Sequence, residues 1–113
     1  MAVRVVCVAC GRNPAAGPVP VALDAARPRC PKCAFRRLAR RHLGDAAQWA
    51  SLARLFNTQG GRCAYTGERL VLGANASLDH RLPRSRGGPG TIDNLQWVTA
   101  EVNDFKRNMT HAE

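Results

Sequence analysis

The spacing of apolar positions changes twice along the chain. Before residue 34 they are scattered among turn-formers. Asn13-Pro14-Ala15-Ala16-Gly17-Pro18-Val19-Pro20 reads as a loop, because proline removes backbone donors and glycine adds freedom. Val19 to Leu23 is long enough for one short strand. From Ala34 a helical period takes over. Phe35, Leu38, Ala39 and His42 fall at i, i+3, i+4 and i+7, and Gly44 is a natural stop. Asp45 can cap a second helix with the apolar stripe Trp49, Leu52, Ala53 and Phe56, a core face ended by Gln59-Gly60-Gly61. Ala76 to His80 then reads as a short strand ended by Pro83. Pro83 to Thr91 is a long Gly- and Arg-rich surface loop, and Leu95 to Val98 a second strand. Thr99 can cap a helix running to about Asn108. The expected class is α+β, with an amino-terminal unit over residues 1–44 and a second unit over 45–113.

At 113 residues the chain is one domain, or two small units sharing a modest core. A domain of this size buries a limited fraction of its surface, so a metal staple is a reasonable expectation. Aromatics are few, which predicts a core of mostly Ala, Val and Leu. No apolar run approaches the roughly 20 residues of a membrane span. The opening Met1-Ala2-Val3-Arg4-Val5-Val6-Cys7 lacks a secretory pattern, so a cytoplasmic setting is expected.

Lys and Arg together number 17 against 8 Asp and Glu, a formal charge of +9. The only lysines are Lys32 and Lys106, so the charge is carried by guanidinium, whose planar fork of donors suits phosphate. Such an excess on a short chain favours a polyanion, and nucleic acid ranks ahead of an anionic membrane surface. Arg36, Arg37, Arg40 and Arg41 occupy the helix face beside the apolar stripe. They are candidates for a basic helix lying on a phosphate backbone; the plain alternative is a solvated face.

Four of the five cysteines form two pairs, Cys7-Val8-Ala9-Cys10 and Cys30-Pro31-Lys32-Cys33, with 19 residues between the inner two. This C-x2-C-x19-C-x2-C spacing is that of a four-thiolate zinc site. Paired disulfides would need an oxidising compartment, and a redox C-x-x-C is a further alternative that two paired copies fit less well than a metal. The expectation is a structural Zn²⁺ held by Cys7, Cys10, Cys30 and Cys33, in a unit that resembles a zinc ribbon or paired zinc knuckle. With the site filled by four ligands, His42 is expected to pack or cap rather than ligate.

The carboxyl-terminal half carries the most specific pattern. It consists of Asp79-His80, the Gly87-Gly88 loop, Asn94, and Asn103 followed by Lys106 one helical turn later. In this order the residues resemble the HNH nuclease family, also called His-Me finger or ββα-metal nucleases, over roughly residues 61–110. The family name implies His, Asn, His; the third position here is Asn103, a common variant. The HNH domain of CRISPR RNA-guided nucleases has the same Asp-His, Asn, Asn order. Many stand-alone members add C-x2-C pairs around this core. Here Thr66 stands where the second cysteine is expected, and no cysteine lies near Asn103, so Cys63 is expected to be a lone buried thiol.

The resemblance implies metal-dependent hydrolysis of DNA phosphodiesters. Asp79 and Asn103 would be the ligands of one divalent cation, whose hard oxygen donors suit Mg²⁺ or Mn²⁺. His80 would be the general base, since an imidazole near neutral pKa can take a proton from water. Asn94 would tie down the loop and orient His80, and Lys106 would face the scissile phosphate. Arg81, Arg84, Arg86 and Arg107 are candidates for the flanking phosphates. Adjacent strand residues face opposite ways, so the strand is expected to break at Asp79-His80 to let both side chains serve one site. One active site cuts one strand, so a monomer or weak dimer is expected to nick duplex DNA with little sequence preference. A small free-standing member is most like the phage or prophage kind, with packaging machinery as a possible partner. The rival readings are a non-catalytic zinc-ribbon nucleic-acid binder with a degenerate nuclease core, and an RNA-binding ribbon protein.

Overall fold

Helix α1 begins inside the second cysteine pair. Cys30 is its extended N-cap and Pro31 its first residue, where a missing N–H costs nothing. In the computed structural model, which describes residues 5–14, 19–23, 27–83 and 86–109 (side chains to 106), α1 runs Pro31–Leu43. It therefore starts three residues before the apolar period becomes visible. Gly44 ends it in the left-handed region at φ 72°, its N–H donating to the Ala39 carbonyl. The Asp45 carboxylate accepts from the Ala47 N–H at 2.9 Å, opening a 3₁₀ turn over Ala46–Gln48 that leads into α2, Trp49–Thr58.

Strand β1, Ala76–His80, pairs antiparallel with β2, Leu95–Thr99, in the register Ala76 to Thr99 through His80 to Leu95. The final helix α3, Ala100–Met109, follows directly, and the Val102 N–H bonds the Thr99 hydroxyl at 3.2 Å as the expected cap. The described chain is thus a small α+β fold ending in strand, loop, strand, helix. Val19 to Leu23 contributes only an isolated parallel bridge between Val21 and Leu72, too short to be a strand. Arg84 and His111 lie outside the described residues.

One core joins these elements. Leu52 and Phe56 of α2, Phe35 and Ala39 of α1, and Leu78, Leu95, Trp97 and Val98 of the sheet are all buried in it. Leucine dominates, but the centre is aromatic rather than aliphatic. Phe35, Phe56 and Trp97 meet edge-to-face with ring centroids 5.4–5.8 Å apart. Three of the six aromatic residues gather where three elements meet, because a large ring fills that space in one piece. The Gln59 side chain fastens α2 to β2. Its Nε2 donates to the Trp97 carbonyl at 2.9 Å and its Oε1 accepts the Trp97 N–H at 2.8 Å. A two-stranded ribbon is marginal alone; here its inner face is closed by helices and its outer face meets α3. No helix among the described residues is long and apolar enough to cross a membrane.

Candidate functional site

The two cysteine pairs come together as their spacing predicts. The sulfurs of Cys7, Cys10, Cys30 and Cys33 all lie within 4.8 Å of one another, and Cys10 Sγ is 3.6 Å from Cys30 Sγ. Both pairs are held by local backbone. The Gly11 N–H bonds the Cys7 carbonyl at 2.8 Å, and the Ala34 N–H bonds that of Cys30 at 2.9 Å. Burial raises the Cys7 thiol, but surrounding N–H donors at Cys30, Ala9 and Cys10 outweigh it and bring its pKa down to about 6. Burial pushes Cys33 up to about 12, with the neighbouring sulfurs adding to the rise. Four converging soft donors could hold a metal ion such as zinc.

A second polar cluster lies on the outer face of the ribbon. Asp79 is buried, and its Oδ2 accepts from Gln96 Nε2 at 2.8 Å and from Lys106 Nζ at 2.6 Å. Gln96 is the cross-strand partner of Asp79, so strand register alone sets that contact. Tyr65 completes the group: its Oη is 2.8 Å from Gln96 Nε2 and 3.0 Å from Lys106 Nζ. Burial disfavours the Lys106 ammonium, but Asp79 and Tyr65 overcome this and hold its pKa above the ordinary lysine value. Asn103 stands on the same helix one turn earlier. Its Nδ2 donates to Ser77 Oγ at 2.8 Å and to the Leu78 carbonyl at 3.1 Å. Ser77 and Asp79 share a strand face, so α3 sets Asn103 and Lys106 against the face that carries Asp79.

Asn94 pins the loop that follows β1. Its Oδ1 accepts from the Leu82 N–H at 2.9 Å, and its Nδ2 donates to the carbonyls of Leu82 and Pro89 at 3.1 and 2.9 Å. The Asn94 carbonyl also accepts from the Arg81 N–H at 2.8 Å. The glycine pair is explained here. Gly87 has φ 83°, and a Cβ on Gly88 would run into the carbonyls of Leu82 and Pro83.

His80 departs from expectation. The strand does not break at Asp79-His80: both residues are paired in register, with Gln96 and Leu95. Alternation therefore sends the two side chains to opposite faces. Asp79 meets α3, whereas the His80 ring faces α1, 6.0 Å from the ring of His42, with its Nε2 shielded from solvent. Pairing to Leu95 continues through His80 because the Asn94-anchored loop holds the strand end closed.

Cys63 is the lone buried thiol expected from the sequence. Arg36, Arg37, Arg40 and Arg41 are exposed along α1, and Arg81 and Arg86 are exposed around the loop. Arg84 falls outside the described residues, as does the Arg107 side chain. The sequence reading missed Tyr65, Gln96 and His42 as members of these clusters. A glutamine inside the apolar run Leu95-Gln96-Trp97-Val98 was the one available signal. Comparison with family models, curated proteins and solved structures finds no match to this chain.

Proposed function

We propose that this chain is an HNH-type endonuclease, a divalent-metal-dependent phosphodiesterase acting on DNA through a ββα-metal core. The observation that carries this reading is the convergence of Asp79, Asn103 and Lys106 on one face of a strand–loop–strand–helix unit whose loop is anchored by Asn94. The donor set fits a hard cation, Mg²⁺ or Mn²⁺. Asp79 offers a carboxylate, and Asn103, with its Nδ2 committed to β1, has its amide oxygen to offer. When bound, the cation would polarise the phosphate and stabilise the departing 3′ oxygen. Lys106 leaves Asp79 to pair with the phosphate charge. His80 takes the proton from the attacking water, which requires its ring to swing around the end of β1 from the α1 side. The exposed arginines of α1 and the loop hold flanking phosphates. Zn²⁺ on the four cysteines secures the amino-terminal unit.

A second reading is favoured by two observations. Asp79 is already paired with Lys106, and His80 faces away from it. On that reading the chain is a zinc-stabilised nucleic-acid binder without hydrolytic activity. Nicking of supercoiled plasmid with Mg²⁺ or Mn²⁺ separates the two. Nicked circles that form with the ion and do not form when EDTA is present from the start are expected; intact plasmid with every divalent ion leaves the binder. Competition between duplex DNA and structured RNA at fixed salt identifies the preferred polymer.

A further inference from the structure

A cavity of ≈ 220 Å³ opens between α1, the segment that precedes it and the turn that leads into β1, beside the second cysteine pair and apart from the Asp79 cluster. Four arginines line it. Arg37 and Arg41 stand one turn apart on α1, and Arg27 and Arg29 come from the approach to the second cysteine pair. The rest of the lining is apolar, with Ala22, Leu38, Leu72 and Ala76 among it, and no carboxylate lines it among the described residues.

Two physical features determine what can bind there. Four arginines lining one small opening concentrate positive charge there, and an anion with several acceptor oxygens can offset it through paired donors. An apolar wall beneath them gives nothing to a bare phosphate but accepts a flat, weakly polar ring. A nucleotide joins both parts: phosphates for the rim and a base for the wall. In a duplex the base is stacked and paired, so only an unpaired nucleotide can insert it, with arginine planes available for stacking.

We propose that this cavity is a binding site for an unpaired nucleotide of single-stranded nucleic acid, with phosphates among Arg27, Arg29, Arg37 and Arg41 and the base against the Leu38–Leu72 wall. The site divides the basic face of α1 by role. Arg37 and Arg41 belong to the pocket, whereas Arg36 and Arg40 are outside its lining. The inference shares Arg37 and Arg41 with the phosphate contacts of the proposed function but does not depend on hydrolysis, because none of the lining residues belongs to the Asp79 cluster.

The test is binding of a fluorescein-labelled oligothymidylate to the zinc-loaded protein without added Mg²⁺ or Mn²⁺, so that a failed nuclease reading leaves the result unaffected. Arg37→Glu with Arg41→Glu is expected to weaken single-strand binding roughly tenfold more than Arg36→Glu with Arg40→Glu, an equal charge change on the same helix outside the cavity. Equal losses would mean diffuse attraction and overturn the site. Ala22→Phe fills the cavity without altering charge. It is expected to abolish the preference for single strand over duplex while duplex binding persists; an unchanged preference overturns the role of the wall. Inorganic phosphate competing as well as a mononucleotide would also overturn it. Should Ala22→Phe not fold, photocrosslinking of a 5-iodouracil oligonucleotide to the parent decides. Adducts at Ala22 or within residues 27–41 or 72–76 are expected, and adducts confined to other described segments refute the proposal.

Discussion

The Lys106 ammonium lies 2.6 Å from Oδ2 of Asp79, joining α3 to β1 across 27 residues of sequence. The lysine is 30% exposed and the carboxylate 7%, so the pair sits at the edge of the fold rather than deep within it. Removing one partner leaves a nearly buried carboxylate with only Gln96 as a described side-chain donor. Because the ammonium is partly solvated, Lys106→Met is expected to cost about 1–2 kcal/mol, below the 3–5 of a fully buried pair. Urea unfolding at neutral pH measures it.

The same pair makes a pH prediction. The folded pKa of Lys106 lies above its ordinary value of 10.5. A raised pKa means that the folded state binds the proton more tightly, so the stabilisation is fully present below 10.5. It is lost as pH rises through the folded value. The stability gap between parent and Lys106→Met should therefore be constant from neutral pH to about 10 and shrink above 10.5. A gap that stays level through pH 11.5 would remove the linkage.

Asn94 makes the third prediction. All three side-chain hydrogen bonds go to loop backbone, and the residue is only 8% exposed. Asn94→Ala strands an N–H and two carbonyls, at an expected cost of about 2–4 kcal/mol. Asn94→Asp keeps the acceptor for Leu82 and loses both donors, so it should be nearly as harmful. Gly88→Ala should be at least as damaging, because its new methyl meets backbone that cannot move aside. Denaturant midpoints rank the three variants.

These cases show which parts of the fold were legible in the sequence. Gly44, Asp45 and Thr99 act where their chemistry predicts, because caps are local. The strand and helix periods were visible for the same reason. The start of α1 at Pro31 was hidden, since a C-x2-C pair reads as a turn until its second half is seen to be helical. Tyr65 and Gln96 were hidden for a different reason: their contacts with Asp79 and Lys106 come from strand register and from a turn 31 residues earlier. The orientation of His80 was inferred from the needs of chemistry, whereas the backbone follows the pairing of β1 with β2.

The four-cysteine cluster predicts one tightly held zinc per chain. Metal analysis of the purified protein should return that ratio, and Cys33→Ser should lose most of the metal and lower the melting temperature. Cys63→Ser should leave the zinc ratio unchanged, because that thiol is outside the cluster. Equal metal content in the Cys33 and Cys63 variants would refute the four-cysteine site.

His80 and His42 give the most direct test of the hydrolytic reading. Their rings are 6.0 Å apart on the α1 side of the sheet, so both are similarly placed in the resting fold. Only His80 adjoins Asp79 in the chain, and only rotation about the end of β1 would carry a ring to the outer face. If His80 acts as base, His80→Ala should lower plasmid nicking by about 10²–10⁴, in the range of a lost general base. His42→Ala should retain nicking within a few-fold. Matched losses in the two variants would mean that the pair serves packing, and the base would then have to be sought on the Asp79 face. A His80→Ala protein that nicks as fast as the parent removes His80 from the chemistry altogether.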